Sequence, residues 1–258
     1  MRTVVIIPAR YASTRFPGKP LAPVAGVMMI ERVWRIASQL TGIAGVYVAT
    51  DDDRIAAAVK GFGGQVIMTP ADCENGTERV YMAATQLAER PDSVINFQGD
   101  AVLTPPWVVQ PLVDVLNQDP TVQLATPMMQ LDERQYAELV TLKESSPASG
   151  TTVTFDSQYN ALYFSKNIIP HVRAGGVPEV YRHIGMYGYR LETLAHYLTL
   201  PSGRFEQLEK LEQLRALENG IPIRMVPVDY RGRTHGSIDS PADLNYAEEI
   251  IAREGELI

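Results

Sequence analysis

Arg10, Arg15 and Lys19 lie close together near the start of this 258-residue chain, with Gly18 beside the lysine. Arginine grips oxygens bidentately and lysine acts as a mobile point charge, so the set suits a polyphosphate. A solvated basic loop is the plainer account of the same residues. The loop has neither the G-x-x-x-x-G-K-[ST] of a P-loop nor the G-x-G-x-x-G of a dinucleotide fold. Farther on, Gln98-Gly99-Asp100 ends an apolar run. A strand-terminal aspartate alone reads as a helix cap as readily as a metal ligand. Opposite a loop that holds a triphosphate it suits Mg²⁺, which usually sits between one or two carboxylates and phosphate oxygens.

These groups must be carried to one place by the elements before them. Val4–Ile7 is a β-branched run ended by Pro8, and Ser93–Phe97 a second such run, both reading as buried strands of a parallel sheet. Between them the pattern predicts a helix over Met28–Leu40, strands over Val46–Ala49 and Gly63–Met68, and helices over Arg54–Gly61 and Gly76–Leu87. Strand and helix alternate, which points to right-handed crossovers and an α/β doubly wound, mostly parallel sheet. Ligands bind such sheets at the carboxyl edge, where Arg10 and Asp100 both emerge. A helix over Pro106–Leu116 and a strand over Val122–Pro127 continue the series.

From Asp132 the pattern changes. Val153–Phe155 and Tyr159–Phe164 alternate like antiparallel strands around Asp156-Ser157-Gln158, as expected of an inserted β-rich lid subdomain. We expect a nucleotide-binding half over 1–130, the lid over 131–200, and an acceptor-binding helix with the return to the sheet over 201–258. Arg182–Tyr189 reads as one strand with His183, Gly185, Tyr187 and Tyr189 on one face, a polar face that suits a polyhydroxylated ligand; a satisfied core histidine is the competing account of His183. Phe205–Gly220 reads as one continuous helix closed by Gly220, with Glu209 and Gln213 one turn apart and Glu212 nearby, a face that is equally a solvated acidic one. Ser240 caps a last helix that opens with Pro241. Asp51-Asp52-Asp53 reads as a cap for the helix that follows, and Asn75-Gly76 as a turn with Thr77 as its cap.

Ile7-Pro-Ala-Arg-Tyr-Ala-Ser-Thr-Arg-Phe-Pro-Gly-Lys-Pro-Leu21 resembles the signature loop of sugar nucleotidyltransferases, and more narrowly that of the CMP-Kdo synthetases (3-deoxy-manno-octulosonate cytidylyltransferases). The resemblance runs from Val4 to about Leu244. It implies a nucleotide-diphospho-sugar transferase fold in which the lid also forms much of a homodimer contact. CTP is then held by Pro8, Ala9, Arg10, Ser13, Arg15 and Lys19, with Asn75, Gly76, Thr77 and Arg79 at the cytosine; Asn75 stands where serine is usual. Gln98, His183, Tyr187, Glu209, Glu212 and Gln213 receive a small acidic acceptor. Asp100 and Asp239 hold Mg²⁺, and Arg10 and Lys19 join them as catalytic residues. The resemblance breaks at Ala101, where the family continues Glu-Pro, and at Thr152, where it has an active-site lysine. Both positions are expected at the mouth of the acceptor pocket, near Asp100. The acceptor on this reading is 3-deoxy-manno-octulosonate or a like sugar acid; an amino-substituted sugar acid or a phosphonate carboxylate is the alternative. A nucleotide-binding regulator without turnover is the reading from a different class.

The bulk properties exclude more than they select. A net charge of −7 argues against general nucleic-acid binding. Cys73 stands alone, which rules out an intrachain disulfide and a multi-cysteine zinc site. No long apolar run suits a membrane span, and no secretory signal is evident, so a cytoplasmic location is expected.

Overall fold

The computed structural model describes residues 1–12, 16–173 and 179–258; Ser13 and Arg15 fall outside them. The chain opens with β1 (Thr3–Ala9), the short hairpin β2 (Pro23–Val24) and β3 (Val27–Met28), and α1 (Met29–Ala37). β4 (Val46–Thr50), α2 (Asp53–Gly61), β5 (Gln65–Met68), α3 (Gly76–Ala84) and β6 (Ser93–Asn96) follow. Next come α4 (Pro106–Gln118), β7 (Leu124–Gln130), α5 (Glu133–Ser145), β8 (Thr152–Phe155), β9 (Ala161–Ser165), β10 (Tyr181–His183) and β11 (Tyr187–Arg190). The chain ends with α6 (Leu191–Thr199), α7 (Arg204–Glu209), α8 (Leu214–Glu218), β12 (Ile223–Pro227) and α9 (Pro241–Glu254).

The main sheet runs β5-β4-β1-β6-β11-β7-β10-β8-β9, with β12 on the other side of β7. β5, β4, β1 and β6 are parallel, and β12 is parallel to β7. The remaining pairings are antiparallel, so the hairpin β8–β9 extends the same sheet through β10. From β1 the chain steps outward to β4 and β5, then returns across β1 to place β6. That reversal opens a crevice beyond the carboxyl ends of β1 and β6, where open α/β sheets bind ligands.

The apolar run of β1 is buried on both faces. Val5 and Ile7 join Ile30, Val33, Leu112 and Ile250 in one core, whereas Val4 and Ile6 join Val80, Ala83 and Leu194 in another. Alternation along the strand sends successive side chains to opposite layers, which is why the run shows no polar interruption.

Three expectations need correction. The strand over Arg182–Tyr189 is two strands, because the Thr126 hydroxyl holds the Ile184 and Met186 carbonyls at 3.2 and 2.8 Å and breaks the ladder between them. The helix over Phe205–Gly220 is broken at Lys210, which has φ 55°. The break lets Leu211 and Leu214 bury while Leu208 stays 70% exposed. The third correction concerns the helix start after β4: Asp52, not the whole acidic run, caps it by accepting from Arg54 N at 2.9 Å. Helices α5 and α6 lie where the sequence reading placed none.

Candidate active site

The crevice beyond β1 and β6 is a cavity of about 290 Å³, lined by Pro8, Ala9 and Arg10, by Asn75, Gly76 and Arg79, by Gln98, Gly99 and Asp100, and by Lys19 and Asp239. Elements far apart in sequence meet there at close quarters. A Cβ on Gly99 would stand 2.8 Å from the Pro8 carbonyl oxygen, and one on Gly76 would stand 3.3 Å from Pro8 Cγ. Gly99→Ala is therefore expected to push β1 and β6 apart and cost about 1–3 kcal/mol, with weaker nucleotide binding. Thermal melts and nucleotide titration check this; an unchanged Tm and affinity would show that the close approach is not required.

Asn75 is the N-cap of α3, its Oδ1 accepting from Glu78 N at 2.9 Å. Serine and asparagine are nearly equivalent caps, so asparagine in a serine position preserves the turn. The cap is thus Asn75 and not Thr77. Arg79 lines the cavity, but its guanidinium is committed to the Thr69 hydroxyl at 2.6 Å and to Asp51 Oδ2 at 3.3 Å. It braces the turns that form the wall. Asp51 is accordingly the partner of Arg79 rather than a helix cap.

Lys19 Nζ donates to Asp100 Oδ2 at 2.6 Å and to the Ile238 carbonyl at 2.9 Å, and lies 3.9 Å from Asp239 Oδ1. Two carboxylates far apart in the sequence thus converge on one cation. Among the described residues no cluster of three or more His, Cys, Asp or Glu side chains could hold a metal. A pair of carboxylates beside a phosphate-sized crevice is a donor set that fits Mg²⁺, which takes its other positions from water and phosphate.

Asp239 also lines a second, larger cavity of about 1140 Å³, together with Lys166, Arg182, His183, Tyr187, Gln213 and His235. The Thr126 hydroxyl donates to Met186 O at 2.8 Å, so at 2.8 Å it accepts from His183 Nε2–H, which leaves Nδ1 as the acceptor. Burial pushes the His183 pKa down to about 3, and does the same to His235. Both are neutral at physiological pH, and a neutral imidazole accepts well from a hydroxyl. Tyr187 donates its hydroxyl to Gln213 Oε1 at 3.1 Å. Burial lowers the Arg182 pKa, and no acid among the described residues pairs with it. The cavity therefore sets the cations Lys166 and Arg182 beside neutral acceptors, with Glu138, Asp239 and Asp243 also in its lining.

A family model described as cytidylyltransferase matches residues 4–225. The chain belongs to the cytidylyltransferases. This cytidylyltransferase is 54% identical over 260 residues to the 3-deoxy-manno-octulosonate cytidylyltransferase of Maricaulis maris (strain MCS10), covering 100% of both. It is 41% identical over 254 residues to the 8-amino-3,8-dideoxy-manno-octulosonate cytidylyltransferase of Shewanella sediminis (strain HAW-EB3), covering 98% of this chain and 99% of that one. A solved CMP:2-keto-3-deoxy-manno-octonic acid synthetase complexed with CTP matches with a TM-score of 0.88 and 37% identity, covering 98% and 100% of the two chains.

Several residues expected in the cytidylyltransferase site stand one step behind it. Glu209 lines neither cavity: its carboxylate accepts from Ser165 Oγ and Lys166 N, each at 2.8 Å. Glu212 is likewise withdrawn, accepting from the Thr77 hydroxyl at 3.0 Å, which takes Thr77 out of the nucleotide cavity as well. Ala101 is buried in the turn after Gln98, and Thr152 is buried with its hydroxyl donating to Asn167 O at 2.7 Å and accepting from Ile169 N at 3.0 Å. Neither lines the larger cavity, so the two departures do not face each other there. Lys166, Arg182 and His235 were missed by the sequence reading. Arg182 opens the segment Arg182–Tyr189 but was given no role there, and nothing local marked Lys166 or His235.

Burial raises the Glu212 pKa above the ordinary 4.5. The folded chain then keeps this proton to higher pH than the unfolded chain, so the associated stability is present below 4.5 and is lost as pH rises through the raised value. Glu212→Gln, which keeps an acceptor for Thr77, is expected to raise Tm at pH 7 relative to pH 4. Melts of both proteins across that range check it; a Tm difference that does not vary with pH would count against it.

Proposed function

We propose that this cytidylyltransferase transfers CMP from CTP to 3-deoxy-manno-octulosonate and releases pyrophosphate. One observation carries the proposal: Asp239 lines both cavities, so groups bound in each meet at one carboxylate beside Asp100 and Lys19. In this reading Arg10, Lys19 and Arg15 bind the triphosphate with Pro8, Ala9 and Ser13, and the turn at Asn75-Gly76 receives the cytosine. The acceptor lies against His183, Tyr187 and Gln213, with Lys166 and Arg182 facing its carboxylate and Gln98 between the two substrates. An acceptor oxygen forms a bond to the α-phosphorus as the bond to the β-phosphate oxygen breaks. Positioning and charge neutralisation are the main demands of such a transfer. Mg²⁺ held by Asp100 and Asp239 would neutralise phosphate charge and acidify the acceptor hydroxyl.

Residues 1–130 thus serve the nucleotide, 131–200 cover the acceptor edge, and 201–258 complete the acceptor site. The same proposal includes a homodimer, supported by the exposed apolar side chains Leu162, Phe205 and Leu208 near the β9 edge of the sheet; sedimentation equilibrium tests it, and a monomer at micromolar concentration would overturn it. A cytoplasmic setting, where CTP is at hand, also belongs to the proposal; no helix among the described residues is long and apolar enough to cross a membrane.

An aminated sugar acid, named for the Shewanella relative, is the second reading. The half-buried Arg182, which pairs with no acid among the described residues, favours an acceptor that brings no extra ammonium. The test is pyrophosphate release from CTP, UTP, ATP and GTP with 3-deoxy-manno-octulosonate, its 8-amino analogue and phosphonoformate. We expect the highest kcat/KM with CTP and the unaminated acid. A higher value for the analogue or for phosphonoformate would replace the acceptor, and equal turnover with UTP would overturn the cytosine assignment.

A further inference from the structure

We infer that Lys143 and Glu209 clamp the backbone of Lys166 from its two sides and so act as positioning residues for the acceptor. The inference rests on the acceptor reading above. Lys143 lies on α5, and its ammonium donates to the carbonyls of Gly150 at 2.7 Å, Pro147 at 3.1 Å and, in a short contact, Lys166. All three ammonium hydrogens are thereby used, and all on backbone oxygen. On the opposite side Glu209 Oε2 accepts from Lys166 N and Oε1 accepts from Ser165 Oγ, both at 2.8 Å. The N–H of Lys166 therefore meets a carboxylate while its C=O meets an ammonium. Each is a charge-assisted hydrogen bond, stronger than one between neutral groups.

The consequence is local and specific. Holding the N–H and the C=O of one residue fixes both of its backbone dihedrals, and what remains mobile is the side chain, which lines the larger cavity. The same ammonium secures the other lip. Gly150 has φ +69°, a Cβ there would stand 3.0 Å from Leu139 Cδ1, and Gly150 and Thr151 line the cavity with Lys166. Lys143 is half-buried, and its ammonium gives up part of its hydration to meet backbone oxygens rather than a carboxylate. Burial and the nearby Lys166 and Arg182 indeed lower the Lys143 pKa, opposed by Glu209. The charge is better explained by what it orders. A lysine presented from a fixed backbone loses less freedom when it meets an anion than one presented from a loose loop.

The test uses Lys143→Met, Lys143→Arg and Glu209→Gln in the full chain, with steady-state kinetics and amide hydrogen exchange of the free protein. Lys143→Met is expected to raise KM for the acceptor by about tenfold or more while KM for CTP and kcat stay within about twofold. Lys143→Arg should recover most of that loss. In a Lys166→Met background, Lys143→Met should add less than about twofold, because the residue through which it acts is already gone. Exchange at the Lys166 amide should accelerate in both Lys143→Met and Glu209→Gln. Equal losses in both KM values, full additivity with Lys166→Met, or unchanged exchange at Lys166 would each overturn the clamp. If the wild type turns over none of the acceptors, the acceptor reading fails, while the exchange measurement still decides whether the clamp exists.

Discussion

Asp100→Asn is expected to lower kcat/KM by about 100- to 1000-fold, roughly 3–4 kcal/mol of transition-state stabilisation, with the fold intact. Asparagine keeps the shape and can still accept from Lys19 Nζ, which now sits 2.6 Å from Asp100 Oδ2. What is lost is a formal negative charge in the smaller cavity, paired with the ammonium that also approaches Asp239. The measurement is pyrophosphate release across a Mg²⁺ titration, beside a thermal melt. Near-normal turnover at saturating Mg²⁺ with an unchanged melt would remove Asp100 from the site.

Lys19→Met should be comparably severe, at about 1000-fold or more, for a different reason. The ammonium joins Asp100, Asp239 and the Ile238 carbonyl. Without it a triphosphate loses a cation, and Asp100 loses the ion pair that it makes with Lys19 at 2.6 Å. Tm is expected to fall by about 2–4 °C. Added Mg²⁺ should restore that Tm, since a divalent ion can bridge the carboxylates, yet should leave activity low because the phosphate contact is still missing. Recovery of both together, or of neither, would mean that Lys19 does not separate the two jobs. Arginine is no conservative replacement here, because a planar fork cannot reproduce a point charge bonded to Asp100 Oδ2 and the Ile238 carbonyl at once.

The parallel half of the molecule was legible because its signals are local. The run Val4–Ile7 is apolar on both faces, Pro8 ends it, and the crossovers that follow put Arg10, Asn75 and Asp100 at one edge. The second half depends on contacts that sequence spacing does not carry. The gap between β10 and β11 is made by Thr126, a side chain 58 and 60 residues away from the carbonyls it holds. Helix α5 was hidden because its apolar stripe is poor, with Leu139 its buried residue. Its start was nonetheless readable: Asp132 and Gln135 form a capping box, with Gln135 N donating to Asp132 Oδ1 at 2.7 Å. With that helix went Lys143. Which polar side chains line the cavities and which bond to other protein groups is not carried by sequence spacing. Glu209, Glu212 and Thr77 carry the right chemistry for polar recognition and use it on other protein groups.

The break at Lys210 has an effect on how the wall of the larger cavity can be adjusted. In an unbroken helix Glu209 and Gln213 would share one face and move as a rigid body. Any tilt that brought Glu209 onto Ser165 and Lys166 would then carry Gln213 with it. The left-handed residue between them acts as a universal joint. Glu209 is aimed at the backbone of one strand end, and Gln213 at the hydroxyl of Tyr187 on another. Substitutions in Leu211–Leu214 can therefore re-aim the glutamine, and with it the wall of the larger cavity, while Glu209 keeps its hold.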